Sequence, residues 1–152
     1  MRAILFGLAV ILTPQAKGEW TPISESVTSK VKPGWPGLTG GVAADRTTGE
    51  VFMVVCDQGL WKSADKGATW SIGTAPVDAV AGPFWGKDEN HMVVVGKEGF
   101  IETTDGGKSW KTAAPLPSGF GVSLVGSNYA WDPKSNIFYA SNMGKPTYKF
   151  ER

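Results

Sequence analysis

"SADKGATW" (Ser63–Trp70) and "TTDGGKSW" (Thr103–Trp110) both read Ser/Thr-x-Asp-x-Gly-x-Thr/Ser-Trp, forty residues apart. A short polar turn followed by Trp fits a hairpin. The Asp accepts backbone N–H groups as in an Asx-turn. The Gly takes the positive φ that a tight turn needs, and the Trp enters the next strand. In each copy the hydroxyl residues (Ser63 and Thr69, Thr103 and Ser109) surround the acid, Asp65 or Asp105.

The likeness extends upstream. Without gaps, Glu50–Ser71 lies over Asn90–Lys111, placing Val54 and Val55 over Val94 and Val95, Gly59 over Gly99 and Leu60 over Phe100. The first unit divides into four strand signals at 41–45, 50–55, 59–63 and 68–72, separated by turn residues. The second has matching runs around 84–85, 91–95, 100–103 and 108–111. A third, incomplete unit covers 129–150, with an inner strand ending at Asp132, then "NIFYAS", a Gly-containing turn and "TYKF". No segment beyond residue 18 has helical periodicity. A repeat of about 40 residues made of short β-branched and aromatic runs is the size of one four-stranded propeller blade. The expected fold is therefore all-β, with about three blades, at 41–72, 83–112 and 129–150. The stretch "GEWTPIS" (Gly18–Ser24) resembles a fourth strand, with Trp20 matching Trp70 and Trp110. It is expected to pair, as residues 19–24, with the strand near Thr147–Phe150 and to close the ring. Three blades fall short of the usual four to eight, so completion of the ring by oligomerisation is one expectation, and an open stack is another.

The motif and its spacing resemble the Asp-box, or bacterial neuraminidase repeat, of sialidases, sortilin-type receptors, xyloglucan-degrading glycosidases and photosystem assembly factors. The resemblance implies that Ser63, Asp65, Gly67, Thr69 and Trp70, with Thr103, Asp105, Gly107, Ser109 and Trp110, are scaffold, on the face opposite the ligand site. A phosphate-loop reading of "GGKS" (Gly106–Ser109) fails, because the Gly required five positions before Gly107 is Glu102.

The start of the chain has the order of an export signal: Arg2, the apolar run Ala3–Leu12, Pro14, then "AKG" (Ala16–Gly18). Cleavage is expected after Gly18, giving a signal peptide 1–18 and a secreted or periplasmic domain 19–152 with no membrane span. Loss of Arg2 and Lys17 leaves 13 basic residues against 14 acidic ones, a mixed surface without a nucleic-acid footprint. Cys56 is the only cysteine, and "VFMVVCDQG" reads as a strand, so a buried apolar role is expected for it. No cofactor and no metal site is indicated.

If the blades wind as the resemblance implies, the opposite face carries the turns with Asp57, Gln58, Lys97, Glu98, Asn142 and Lys145. It also carries the longer linkers, one of which includes Trp35 in "KPGWPG". Trp35 can stack on a sugar ring, and the polar residues can bind a saccharide or a protein; equally, they can be ordinary turn residues. Three function classes follow: an exported noncatalytic binding module, a glycoside hydrolase, or an inactive remnant of a larger propeller. Sialidase chemistry, by resemblance, needs three arginines and a Phe/Tyr-Arg-Ile-Pro motif. Residues 19–152 hold only Arg46 and Arg152, and the motif is absent. Asp57 and Glu98 are the candidate catalytic carboxylates; such pairs act at separations of roughly 5–9.5 Å.

Overall fold

The structure, a computed structural model, describes residues 18–32, 39–73, 76, 78–121 and 127–152. The proposed signal peptide (apart from Gly18) and Trp35 lie outside the described residues. Three antiparallel sheets follow one another along the chain. Blade 1 is β1 (Thr39–Ala44), β2 (Val51–Val55), β3 (Gly59–Ser63) and β4 (Ser71–Ile72). Blade 2 is β5 (Ala81–Trp85), β6 (Met92–Gly96), β7 (Gly99–Thr103) and β8 (Lys111–Pro115). Blade 3 is β9 (Ser127–Asp132), β10 (Ile137–Asn142) and β11 (Tyr148–Glu151). Each strand pairs with the next in sequence, so every sheet is a meander. The fold is all-β, built of propeller-type blades, as the sequence led us to expect. No described helix is long and apolar enough to cross a membrane.

Successive side chains of a strand point to opposite faces, so a blade has two sides to cover. Phe52, Val54 and Leu60 of blade 1 meet Met92 and Val94 of blade 2, with Trp85, Ile101 and Trp110 packed around them. The far side of blade 2 presents Val93, Val95 and Phe100 to Trp131 and Phe138 of blade 3. The Phe100 and Phe138 rings lie 4.9 Å apart, and Trp131 stacks on Phe138 at 5.9 Å. The innermost strands approach closely: a Cβ on Gly41 of β1 would collide with the carbonyl oxygen of Gly82 in β5.

These contacts correct the ungapped alignment of the units. Val54 pairs with Leu60, but it is Val95 that pairs with Phe100. Blade 1 joins β2 to β3 through Cys56–Gln58 and blade 2 joins β6 to β7 through Lys97–Glu98, one residue shorter. Val54 therefore corresponds to Val95, not Val94. A slip of one residue exchanges the two faces of a strand, and a row of consecutive valines hides it.

Two further expectations change. Residues 25–28 form a single helical turn, α1 (Glu25–Thr28), with the Ser24 carbonyl accepting N–H groups of Val27 at 3.0 Å and Thr28 at 2.9 Å. The turn lays Val27, with Val31 beside it, over Met53, Val55, Trp61 and Trp70 on the free side of blade 1. The pairing expected between 19–24 and the strand near 147–150 is absent among the described residues. Ile23 lodges instead over Gly67, and its carbonyl accepts the Trp70 indole N–H at 2.9 Å. Blade 2 stands between that anchor and β11, whose described partner is β10 alone. Trp70 and Trp110 are half-buried, because their indole N–H edges turn to the carbonyls of Gly67 and Gly107 in the surface hairpins.

Trp110 seals the boundary of blades 1 and 2, whereas Ile72 of β4 is exposed. Trp110→Ala should cost ~3 kcal/mol, the lower end for large aromatic truncations, and Ile72→Ala under ~0.5 kcal/mol. Urea unfolding of the two variants checks both values.

Candidate functional site

In a meander, the β1–β2 and β3–β4 turns share one end of a blade and the β2–β3 turn lies at the other. The Asp hairpins occupy the first end and are matched atom for atom. Ser63 Oγ and Thr103 Oγ1 each donate to the Oδ1 of the Asp two residues on, at 2.8 Å. The same hydroxyls accept the N–H of Gly67 at 2.8 Å and of Gly107 at 2.9 Å. Thr69 and Ser109 each bond to the acid twice. Their N–H groups donate to Oδ1 at 2.8 and 2.9 Å, and their hydroxyls donate to Oδ2 at 2.6 Å. Gly67 and Gly107 have φ of 94° and 88°, in the region that favours glycine. Every recurring residue of the motif therefore serves the turn itself. The hydroxyls of Thr69 and Ser109, followed by their N–H groups, hold both carboxyls at about 2.

A second set of Asp turns, not singled out in the sequence, lies at the same end. Asp45 Oδ1 accepts N–H groups of Thr47 at 2.6 Å and Thr48 at 2.9 Å. Asp88 accepts Asn90 N–H at 2.9 Å, and Asp132 accepts Lys134 N–H at 2.9 Å. The legible signal was an Asp at the end of, or within a few residues after, each inner strand.

The opposite end gathers Asp57, Gln58, Lys97, Glu98, Asn142 and Lys145, and each turn there holds the linker that enters its own blade. Gln58 Nε2 donates to the Lys32 carbonyl at 3.0 Å. Lys97 N–H donates to Asp78 Oδ2 at 3.2 Å. Asn142 Nδ2 donates to the Gly121 carbonyl at 3.4 Å, and Lys145 Nζ to that of Gly119. Blades 1 and 2 are joined at this end by an ion pair, Lys97 Nζ to Asp57 Oδ1 at 2.8 Å. Asp57, by its hydrogen bond and its charge, raises the Lys97 ammonium above the usual lysine range. The Glu98 side chain is exposed, while its carbonyl accepts Leu116 N–H at 3.4 Å. The two candidate carboxylates are thus unlike: one is bound to an ammonium, the other open to solvent. Cys56, beside them, is buried, and burial raises its thiol above the ordinary range.

One charged cluster was missed. Glu102, 1% exposed in the middle of β7, meets Arg152 Nη1 at 2.7 Å, Lys111 Nζ at 3.4 Å and His91 Nε2 at 3.5 Å. Burial pushes its carboxyl up, but Arg152, followed by Lys111 and His91, outweighs that and leaves it below the usual range. His91 also packs edge-on against Trp131 at 4.7 Å. The cluster ties blade 2 to the end of β11. It also accounts for Arg152, while Arg46 sits in a β1–β2 turn at the Asp-hairpin end.

No protein-family model matches the sequence, and no curated protein matches it either. Among solved structures, the chain is similar to the crystal structure of a GH74 xyloglucanase from Xanthomonas campestris, with a TM-score of 0.53 and 21% identity. The match covers 76% of this chain and 22% of that one, so the chain spans about a fifth of that enzyme's length. The likeness shows the fold: a partial, propeller-type array of antiparallel blades.

The depressed carboxyls make the hairpins acid-labile in a defined window. A group whose folded value lies below its unfolded one (~3.9 for Asp) contributes fully above that value and loses its contribution as pH falls toward the folded value of about 2. Urea midpoints should therefore fall between about pH 4 and pH 2, and the fall should be shallower in an Asp65→Asn/Asp105→Asn variant.

Proposed function

We propose that the protein is an exported, noncatalytic Asp-box module whose loop face binds a saccharide. The observation that carries this reading is the ion pair of Asp57 with Lys97 across the boundary of blades 1 and 2. Hydrolysis by paired carboxylates needs both groups free to reach the scissile bond, and Asp57 Oδ1 is instead engaged by Lys97 Nζ at 2.8 Å. An exposed ammonium paired with a half-buried carboxylate offers donors and an acceptor together, which suits hydroxyl-rich ligands. Glu98 adds a further acceptor beside it, and Trp35, on the linker entering blade 1, supplies an apolar platform for a sugar ring. Scaffold hairpins are shared by enzymes and binders alike, so their presence does not favour catalysis. The likeness to a xyloglucanase supports a β-glucan as the first ligand to test. Export rests on the order of charge, apolar run and small residues in 1–18. A glycoside hydrolase is the alternative reading.

Calorimetric titration with xyloglucan oligosaccharides, run beside a reducing-sugar assay, separates these readings. The expected result is binding without turnover, weakened about tenfold, ~1.4 kcal/mol, by Lys97→Ala or Trp35→Ala. Turnover that vanishes in Asp57→Ala or Glu98→Ala would overturn the noncatalytic reading, and absence of binding would overturn the saccharide one.

A further inference from the structure

Blades 1 and 2 each carry a fourth strand beyond the third, and in both a Trp precedes that strand. In blade 2 this residue, Trp110, packs between its own blade and the one before. On blade 3 the corresponding position lies along β11, whose outer edge has no strand partner among the described residues. It overlooks a groove of about 210 Å³ at the boundary of blades 2 and 3, lined mainly by Phe100, Pro115, Leu116, Phe138, Tyr148 and Phe150. The lining is apolar, and Phe100 is the counterpart of Leu60, which meets Trp110 in the boundary before. The groove is thus shaped for a Trp on an added strand.

Among the described residues one segment has that pattern, and it sits at the other end of the chain. Gly18–Pro22 projects from the Ile23 anchor on blade 1, forms no strand, and leaves Trp20 fully exposed. We propose that Glu19–Pro22 of one copy adds to β11 of a second copy, with Trp20 filling that copy's groove. Ile23 stays bound to Trp70 of its own blade 1. Glu19 and Thr21 would face the receiving edge with their N–H and C=O groups, and Pro22, without an N–H, would fall on the outer row. Proline is tolerated there and blocks addition of a further strand. Glu19 also brings a carboxylate to the outward side of β11, which carries Lys149. The exchange need not stack one copy's blade on the other's: blade 1's free side is already covered by Val27 and Val31.

Light scattering of the purified chain during size-exclusion chromatography, from low to high micromolar concentration, tests the exchange. The expected result is a concentration-dependent species of two or more chains that is lost in Trp20→Ala, a change at a residue with nothing to unfold. A second test mixes two variants on a Cys56→Ser background, one with Thr21→Cys and the other with Lys149→Cys. Oxidation should give a disulfide-linked heterodimer and should give much less when the first variant also carries Trp20→Ala. A monomer at all concentrations, an oligomer unchanged by Trp20→Ala, or no heterodimer would overturn the proposal.

Discussion

A four-stranded blade buries side chains on both faces, and that constraint governs the rest of this structure. Each internal face finds its partner in the next blade: Phe52, Val54 and Leu60 against Met92 and Val94, then Val93, Val95 and Phe100 against Trp131 and Phe138. The two terminal faces are handled differently. On blade 1, Val27 and Val31 cover Met53, Val55, Trp61 and Trp70 in place of a preceding blade. On blade 3, the pairings put Ala130, Asp132, Ile137, Tyr139, Lys149 and Glu151 on the outward side, where Lys149 and Glu151 pair at 2.6 Å. Among the described residues the first face is thus covered by apolar side chains and the last carries mostly polar ones.

The scaffold was legible because the Asp hairpins are local. All the bonds among Ser63, Asp65, Gly67 and Thr69 close within four residues, so the spacing alone encodes them. The strand count and the turn positions followed from the same repeat. The facing of β2 and β6 did not. Three consecutive valines present an apolar residue to either side, and only the lengths of Cys56–Gln58 and Lys97–Glu98 fix which one faces where. The placement of 19–24 was also beyond reach. Its Trp and Ile fit a fourth strand, but a carbonyl bond to Trp70 and a seat over Gly67 are long-range contacts with no local pattern.

The candidate site was legible as a face and not as chemistry. Topology puts Asp57, Gln58, Lys97, Glu98, Asn142 and Lys145 at one end, but Gln58, Asn142 and Lys145 already reach linker carbonyls. Those side chains hold the face that others would use. The Asp57–Lys97 pair forms between the β2–β3 and β6–β7 turns of adjacent blades, a contact far apart in sequence. Glu102 left little trace beyond an acid inside "GFIETT", since its partners come from β5–β6, β8 and the residue after β11.

The central claim is that Val95 and Phe100, not Val94, face blade 3, so that the blades stack in the register described. A double-mutant cycle measures this directly. Phe100→Ala combined with Phe138→Ala should show a coupling of about 0.5–3 kcal/mol, and Val94→Ala combined with Phe138→Ala should be additive within ~0.5 kcal/mol. Additivity of the first pair together with coupling of the second would contradict the account.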